Sequence, residues 1–181
     1  MNLPNVLTLI RILLIPVFIT FVIYRSPVWA IITFIVAGLT DLVDGLLARV
    51  THQRTELGAY LDPIADKLLL SSAYIALAII GSLPSWLTIV VITRDVVIFL
   101  GFFIFFLTNH RPEIHPSMLS KITTNFQIVT ILVVLLAGYS SFLTRITPVG
   151  IYGTAFFTIL SGAHYIYLGT RILNGKQKNS R

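Results

Sequence analysis

Along most of the chain the apolar positions do not alternate with polar ones at either a helical or a strand period. Leu, Ile, Val and Phe instead fill runs that are hydrophobic on all sides, broken by short segments carrying Pro, Gly, Ser and charge. Runs of about 20 such residues match the hydrocarbon thickness of a bilayer crossed by a helix. The pattern predicts helices at about Val6–Tyr24, Val28–Ala48, Leu61–Ile80, Leu87–Leu107, Ile122–Phe142 and Pro148–Leu173. Pro27, Pro84 and Pro148, with nearby Ser and Gly, mark three tight connections. No internal repeat or low-complexity tract interrupts the series. The fold class expected is an all-α integral membrane protein with six transmembrane helices, formed as a single domain over residues 1–181.

Composition sharpens that picture. Of the residues, 56% are hydrophobic and 11% charged, against roughly 25% charged in an ordinary soluble domain. The absence of cysteine excludes a disulfide framework and a thiolate metal site. The amino terminus, MNLPNVLTLIRILLIPVFI, has neither a basic n-region nor a small-residue cleavage site, so no removable signal peptide is expected. The expected location is a prokaryotic plasma (inner) membrane, crossed several times.

The net charge of +6 reads as topology, not as nucleic-acid binding. With six spans, the second and fourth connections share a side with both termini. They hold Arg49, Arg54, Arg111 and Lys121, and the carboxy-terminal end holds Arg171, Lys176, Lys178 and Arg181. The opposite connections hold only Arg25 and Arg145. Basic residues accumulate on the cytoplasmic side, so both termini are expected there, residues 174–181 forming a basic cytoplasmic tail. Arg11, Lys67 and Arg94 lie within spans.

Of the seven acidic residues, five fall within 26 residues: Glu56 and the four aspartates Asp41, Asp44, Asp62 and Asp66. Spacings of three and four put each pair on one helix face. The connection between the second and third spans makes their helices antiparallel, so both pairs lie at the cytoplasmic end and can converge. Carboxylates in a span are costly and repel one another unless protonated or neutralised by cations. Hard oxygen ligands in this number suit two divalent ions, Mg²⁺ or Mn²⁺, as in phosphoryl-transfer sites. The competing explanation is helix capping. It fits Asp62, which precedes Pro63 at the start of a predicted helix. Asp41 and Asp44 sit at the wrong end of their helix for the macrodipole. Gly45 and Gly58 would let a ligand lie against the backbone, although Gly58 could equally break a helix. Arg49 is a candidate phosphate ligand.

The motif Asp41-x2-Asp44-Gly45-x2-Ala48-Arg49-x8-Gly58-x3-Asp62-x3-Asp66 resembles the signature of the CDP-alcohol phosphatidyltransferases at every fixed position. The resemblance implies that Asp41, Asp44, Asp62 and Asp66 bind two divalent cations that hold the pyrophosphate of CDP-diacylglycerol. Asp66 would also be the general base. Gly45, Ala48 and Gly58 would give the nucleotide close backbone access, and Arg49 would contact phosphate. Asn5, Thr8 and Arg11, three apart on one helix face, are similar to the family's nucleotide-lining residues. A homodimer among membrane lipids is also implied.

Two departures bear on the acceptor. Family members using glycerol 3-phosphate typically carry Arg-Glu in the fourth span and an Arg about two turns later. This chain has Arg94-Asp95 and Phe102. It also has Thr123 where those members tend to carry a basic residue two after the lysine, here Lys121. Fewer cations suit a lipid acceptor, and both departures resemble the CDP-diacylglycerol-dependent cardiolipin synthases, whose acceptor is phosphatidylglycerol. Arg94, Arg111 and Lys121 are the acceptor-binding candidates, with glycerol 3-phosphate as the alternative acceptor. Arg94 and Asp95 are adjacent and should face different ways, so each is expected to pair elsewhere. A cation transporter is the more distant alternative, but its site would lie near the midplane. An aspartate-rich prenyltransferase would need a second motif.

Overall fold

A computed structural model of the chain describes the backbone of residues 3–50, 56–107 and 118–177 and the side chains of residues 6–40, 62–101 and 118–171. The described elements are all helical. They are α1 Leu3–Ile23, α2 Pro27–Val50, α3 Glu56–Ile79, α4 Ser85–Leu107, α5 Met118–Leu136 and α6 Ser141–Gln177, with a 3₁₀ turn, Ala137–Tyr139, between the last two. Among the described residues, Val6–Ile23, Met118–Tyr139 and Ser141–Arg171 are long and apolar enough to cross a membrane.

Two of the predicted connections stand. Both are Schellman turns, in which the last free carbonyls of a helix are bonded by the residues that follow. After α1, the Ser26 N–H donates to the Phe21 carbonyl at 2.9 Å and Arg25 N–H to Val22 at 3.0 Å. After α3, Ser82 N–H donates to Leu77 at 2.9 Å and Gly81 N–H to Ala78 at 3.0 Å. Each turn needs a left-handed residue, and these are Arg25 (φ 52) and Gly81 (φ 76).

The third prediction is corrected. Pro148 lies inside α6, and the chain turns earlier, at extended Ser140 (φ −148, ψ 126). The fifth helix therefore stops at Leu136 and the sixth begins at Ser141. Just before Pro148, Thr144 and Thr147 donate back to the carbonyls of Ser140 (3.2 Å) and Leu143 (2.9 Å), a hydroxyl back-bonding that often bends helices. A second correction concerns α3, which starts at Glu56 rather than Leu61. Pro63 is interior to it, so Asp62 lies beyond the first turn and is no N-cap.

Helix α1 packs against α2 and α3, α5 lies along α6, and α4 joins α3 to α6. Contacts fix antiparallel registers. Lys67 meets Asp95 and Tyr74 meets Thr88 across α3 and α4; Thr123 meets Phe157 and Thr130 meets Gly150 across α5 and α6. The first turns of α1, α3 and α5 and the last turns of α2, α4 and α6 thus share one end.

Burial runs opposite to that of a soluble protein. Leu13, Ile79, Ile89, Val149 and Phe156 are exposed, whereas Thr8, Arg11, Gln127, Thr130, Thr154 and Ser161 are fully buried or nearly so. With lipid outside, helices associate through small residues and interhelical hydrogen bonds, not through the hydrophobic effect. The α5–α6 seam shows this directly. Thr130 and Thr154 hydroxyls lie 2.8 Å apart, and Thr154 also donates to the Phe126 carbonyl at 3.2 Å. A methyl group on Gly150 would stand 3.0 Å from the Thr130 hydroxyl, so glycine is what allows this approach.

Candidate active site

Asp62 and Asp66 lie one turn apart on α3, both half-buried, near the end of the bundle where α1 begins. From α1, the Thr8 hydroxyl donates to Asp62 Oδ1 at 2.6 Å. A hydroxyl–carboxylate bond of this length is charge-assisted and fixes the acid's orientation. Arg11, three residues further on and so on the same face of α1, is likewise fully buried. α1 packs against both helices that carry the motif aspartates. Thr8, one of the expected nucleotide-lining residues, thus touches the α3 carboxylate Asp62.

Asp41, Asp44, Gly45, Ala48 and Arg49 lie on the last turns of α2, and Gly58 lies within α3. Both glycines are helical, so Gly58 does not break a helix. The side chains of these residues, and of Asn5, are outside those described, as is Arg111. For the described part of the donor set, two half-buried carboxylates one turn apart offer the hard oxygen ligands that divalent cations take.

A second polar cluster adjoins Asp66. Lys67 Nζ donates to Asp95 Oδ1 at 2.9 Å, and Arg94 Nη1 donates to the same oxygen at 2.6 Å. Arg94 Nη2 donates to Ser120 Oγ at 2.7 Å and Ser161 Oγ at 2.8 Å, and the guanidinium lies 6.0 Å from the centre of the Tyr165 ring. Arg94 is only 5% exposed. Arg94 ties α4 to α5 and α6, and Lys67 brings α3 into the same cluster through Asp95. The expectation that Arg94 and Asp95 would each pair elsewhere is corrected in part: they bond each other, because the long arginine side chain folds back onto its neighbour, and each also has partners on other helices. The signal for Lys67 was its place inside a span, where an ammonium must find a partner. Ser120 and Ser161 carry no such signal in the sequence.

Of the other acceptor candidates, Lys121 is exposed on α5. Thr123 is buried in the α5–α6 seam, its hydroxyl donating to the Leu119 and Phe157 carbonyls at 2.8 and 3.1 Å. It lines a helix contact, and the side chain of Phe102 is outside those described.

Among the described residues, the helical bundle thus gathers two half-buried carboxylates, buried Arg11 and the Lys67–Asp95–Arg94 cluster. The chain belongs to the CDP-alcohol phosphatidyltransferase family, whose model matches residues 1–160. It is accordingly a transferase of phospholipid biosynthesis. It is similar to a probable phosphatidylglycerophosphate synthase of Mycobacterium tuberculosis, at 37% identity over 183 residues covering 96% of this chain and 84% of the relative. It is similar to the CDP-diacylglycerol–glycerol-3-phosphate 3-phosphatidyltransferase of Bacillus subtilis, at 35% identity covering 91% and 93%. It is also similar to the human CMP-forming cardiolipin synthase, at 32% identity covering 94% and 62%.

Proposed function

We propose that the chain transfers the phosphatidyl group of CDP-diacylglycerol to the hydroxyl of phosphatidylglycerol, releasing CMP. The carboxylate end and both termini of six spans would face the cytoplasm of a prokaryotic cell, the chain acting as a homodimer in its plasma membrane. The observation that carries this reading is the α3 carboxylate pair with Asp62 held by Thr8.

Asp41, Asp44, Asp62 and Asp66 would hold two Mg²⁺ or Mn²⁺ ions, which supply charge neutralisation for the pyrophosphate and for the in-line displacement. Thr8 orients Asp62 for that task. Asn5, Arg11 and Arg49 offer donors to the nucleotide and phosphates, and Gly45, Ala48 and Gly58 admit the cytidine to the backbone. Asp66 accepts the proton of the acceptor hydroxyl. The resulting oxygen attacks the lipid-side phosphorus, that P–O bond forms, and the bond to CMP breaks.

The choice of acceptor rests on charge. Lys67 and Arg94 both close on Asp95, so the three carry a net charge of only one positive unit. A soluble phosphate acceptor calls for several unshared cations, whereas a lipid acceptor is already held by its tails. Arg94, with Arg111 and Lys121, would orient its phosphodiester. Glycerol 3-phosphate is the second reading, favoured by the names of the mycobacterial and Bacillus relatives and their coverage.

The test is CMP release from CDP-diacylglycerol by purified protein in mixed micelles with Mg²⁺ or Mn²⁺. Turnover with phosphatidylglycerol alone is the expected result. Turnover with glycerol 3-phosphate alone overturns the acceptor, and an Asp66→Asn protein that stays fully active overturns the mechanism.

A further inference from the structure

The end of the bundle opposite the carboxylates contains a cavity of about 320 Å³ that the transfer reaction does not use. It opens among the last turns of α1, α3 and α5 and the first turn of α2. From Asp66 to Leu77 on its wall is 11 residues of helix, roughly 16 Å at 1.5 Å per residue. Its polar lining is Arg25, Ser26 and Ser82, and no carboxylate is among its lining residues. Ser26 precedes and Pro27 begins α2, so the positive end of that helix dipole lies at the same place. The remaining wall is apolar, with Phe21, Leu77 and Val134 prominent.

Arg25 itself supplies the second observation. The same Schellman turn closes α1 and α3, but α3 uses Gly81 where α1 uses Arg25. A left-handed backbone suits glycine and strains any residue with a Cβ, and such outliers gather at ligand sites. Arginine at that position costs stability and sets a cation on the cavity rim, on the side of the chain that is otherwise almost free of basic residues.

We propose that this cavity binds an anionic phospholipid from the leaflet opposite the active site. Its phosphate would sit at Arg25, the two serine hydroxyls and the start of α2, with the glycerol and first methylenes along the apolar wall. The volume lies at the small end of the range for ligand pockets, about 300–1,000 Å³. It takes a head group and leaves the tails on the lipid-exposed surface. A soluble anion would need no apolar wall.

Trp29 reports on the site because it stacks at 6.0 Å on Phe21, which lines the cavity. Trp86→Phe leaves Trp29 as the sole indole of the two in the chain. That protein, in phosphatidylcholine nanodiscs, is titrated with phosphatidylserine or phosphatidylcholine carrying brominated chains. The expected result is half-maximal quenching at about tenfold lower mole fraction for the anionic lipid, a preference equivalent to about 1.4 kcal/mol. Arg25→Gly should abolish the preference while keeping or raising the melting temperature, since it relieves the strained turn. Gly138→Phe should abolish it with Arg25 intact, because Gly138 lines the cavity and has open space where a side chain would start. Equal quenching by both lipids, a preference that survives either substitution, or reversal of the quenching by inorganic phosphate alone would each overturn the proposal.

Discussion

Asp95→Ala removes an oxygen on which two cations close, and its cost can be worked from their surroundings. Arg94 is 5% exposed, so losing its carboxylate leaves a buried guanidinium without its counter-ion. Breaking a buried pair in this way costs about 3–5 kcal/mol. Arg94 retains the hydroxyls of Ser120 and Ser161, and single interhelical hydrogen bonds in membrane bundles average about 0.6 kcal/mol. The lower figure, about 3 kcal/mol, therefore applies, roughly a hundredfold in the unfolding equilibrium. Lys67 differs, because its side chain is 37% exposed and an ion pair that wet contributes under about 1 kcal/mol. The assay is loss of helicity in detergent micelles under increasing denaturant. Asp95→Ala should lower stability far more than Lys67→Met. Arg94→Met combined with Asp95→Ala should cost less than the sum of the two singles, because removing the guanidinium also removes its unpaired charge. Equal costs for Asp95→Ala and Lys67→Met, or strict additivity in the cycle, would refute the assignment of the penalty to a buried orphan cation.

Other expectations bear on the site and the seam. Thr8→Val deletes a charge-assisted bond between buried Thr8 and half-buried Asp62, worth about 1.5–3 kcal/mol. CMP-release efficiency should fall at least about tenfold and recover in Thr8→Ser, as steady-state kinetics would show. Asp66→Asn should lower CMP release by about 10² or more with helicity unchanged, and chelation followed by Mn²⁺ or Mg²⁺ should abolish and restore the activity of the parent protein. In thermal melts, Gly150→Ala should destabilise by about 1–3 kcal/mol, because its new methyl meets the Thr130 hydroxyl at 3.0 Å. Gly138→Ala meets nothing within 4 Å and should stay within about 0.5 kcal/mol.

What was legible in the sequence followed the costs that the membrane imposes. An uninterrupted apolar run of about 20 residues has few alternatives to a helix, so all six helices were foreseen. Carboxylates in such runs are expensive enough that Asp62 and Asp66 stood out at once. The failures lie where the same environment forgives what water would not. Pro148 reads as a break but is absorbed by α6, and the real turn at Ser140 lacks a proline. Asp62-Pro63 reads as a helix start, yet α3 begins at Glu56. The bond between Arg94 and Asp95 escaped a rule about backbone direction because an arginine is long enough to turn back. The buried row of Thr123, Gln127 and Thr130 against Thr154, Thr158 and Ser161 was visible as helical spacing. In an apolar run such residues look like incidental polar ones, so the spacing alone does not mark a helix seam.

Helix α6 has 37 residues, about 55 Å of continuous helix at 1.5 Å per residue. A hydrocarbon core of roughly 30 Å could hold all of it only at a tilt near 57°, beyond the 0–40° range that membrane helices occupy. Even at 40° the core spans only about 39 Å of axis, so at least about ten residues must project into head groups or water. Ser141 begins this helix at the edge of a tight turn, so the overhang falls chiefly on its other end, beyond Tyr165 and the Arg94 cluster. On the proposed topology, that end carries Arg171 towards the head-group layer at the end of the bundle where α1 and α3 begin. The membrane around the proposed site would then be bordered by a fixed post, which a lipid approaching on that side must pass.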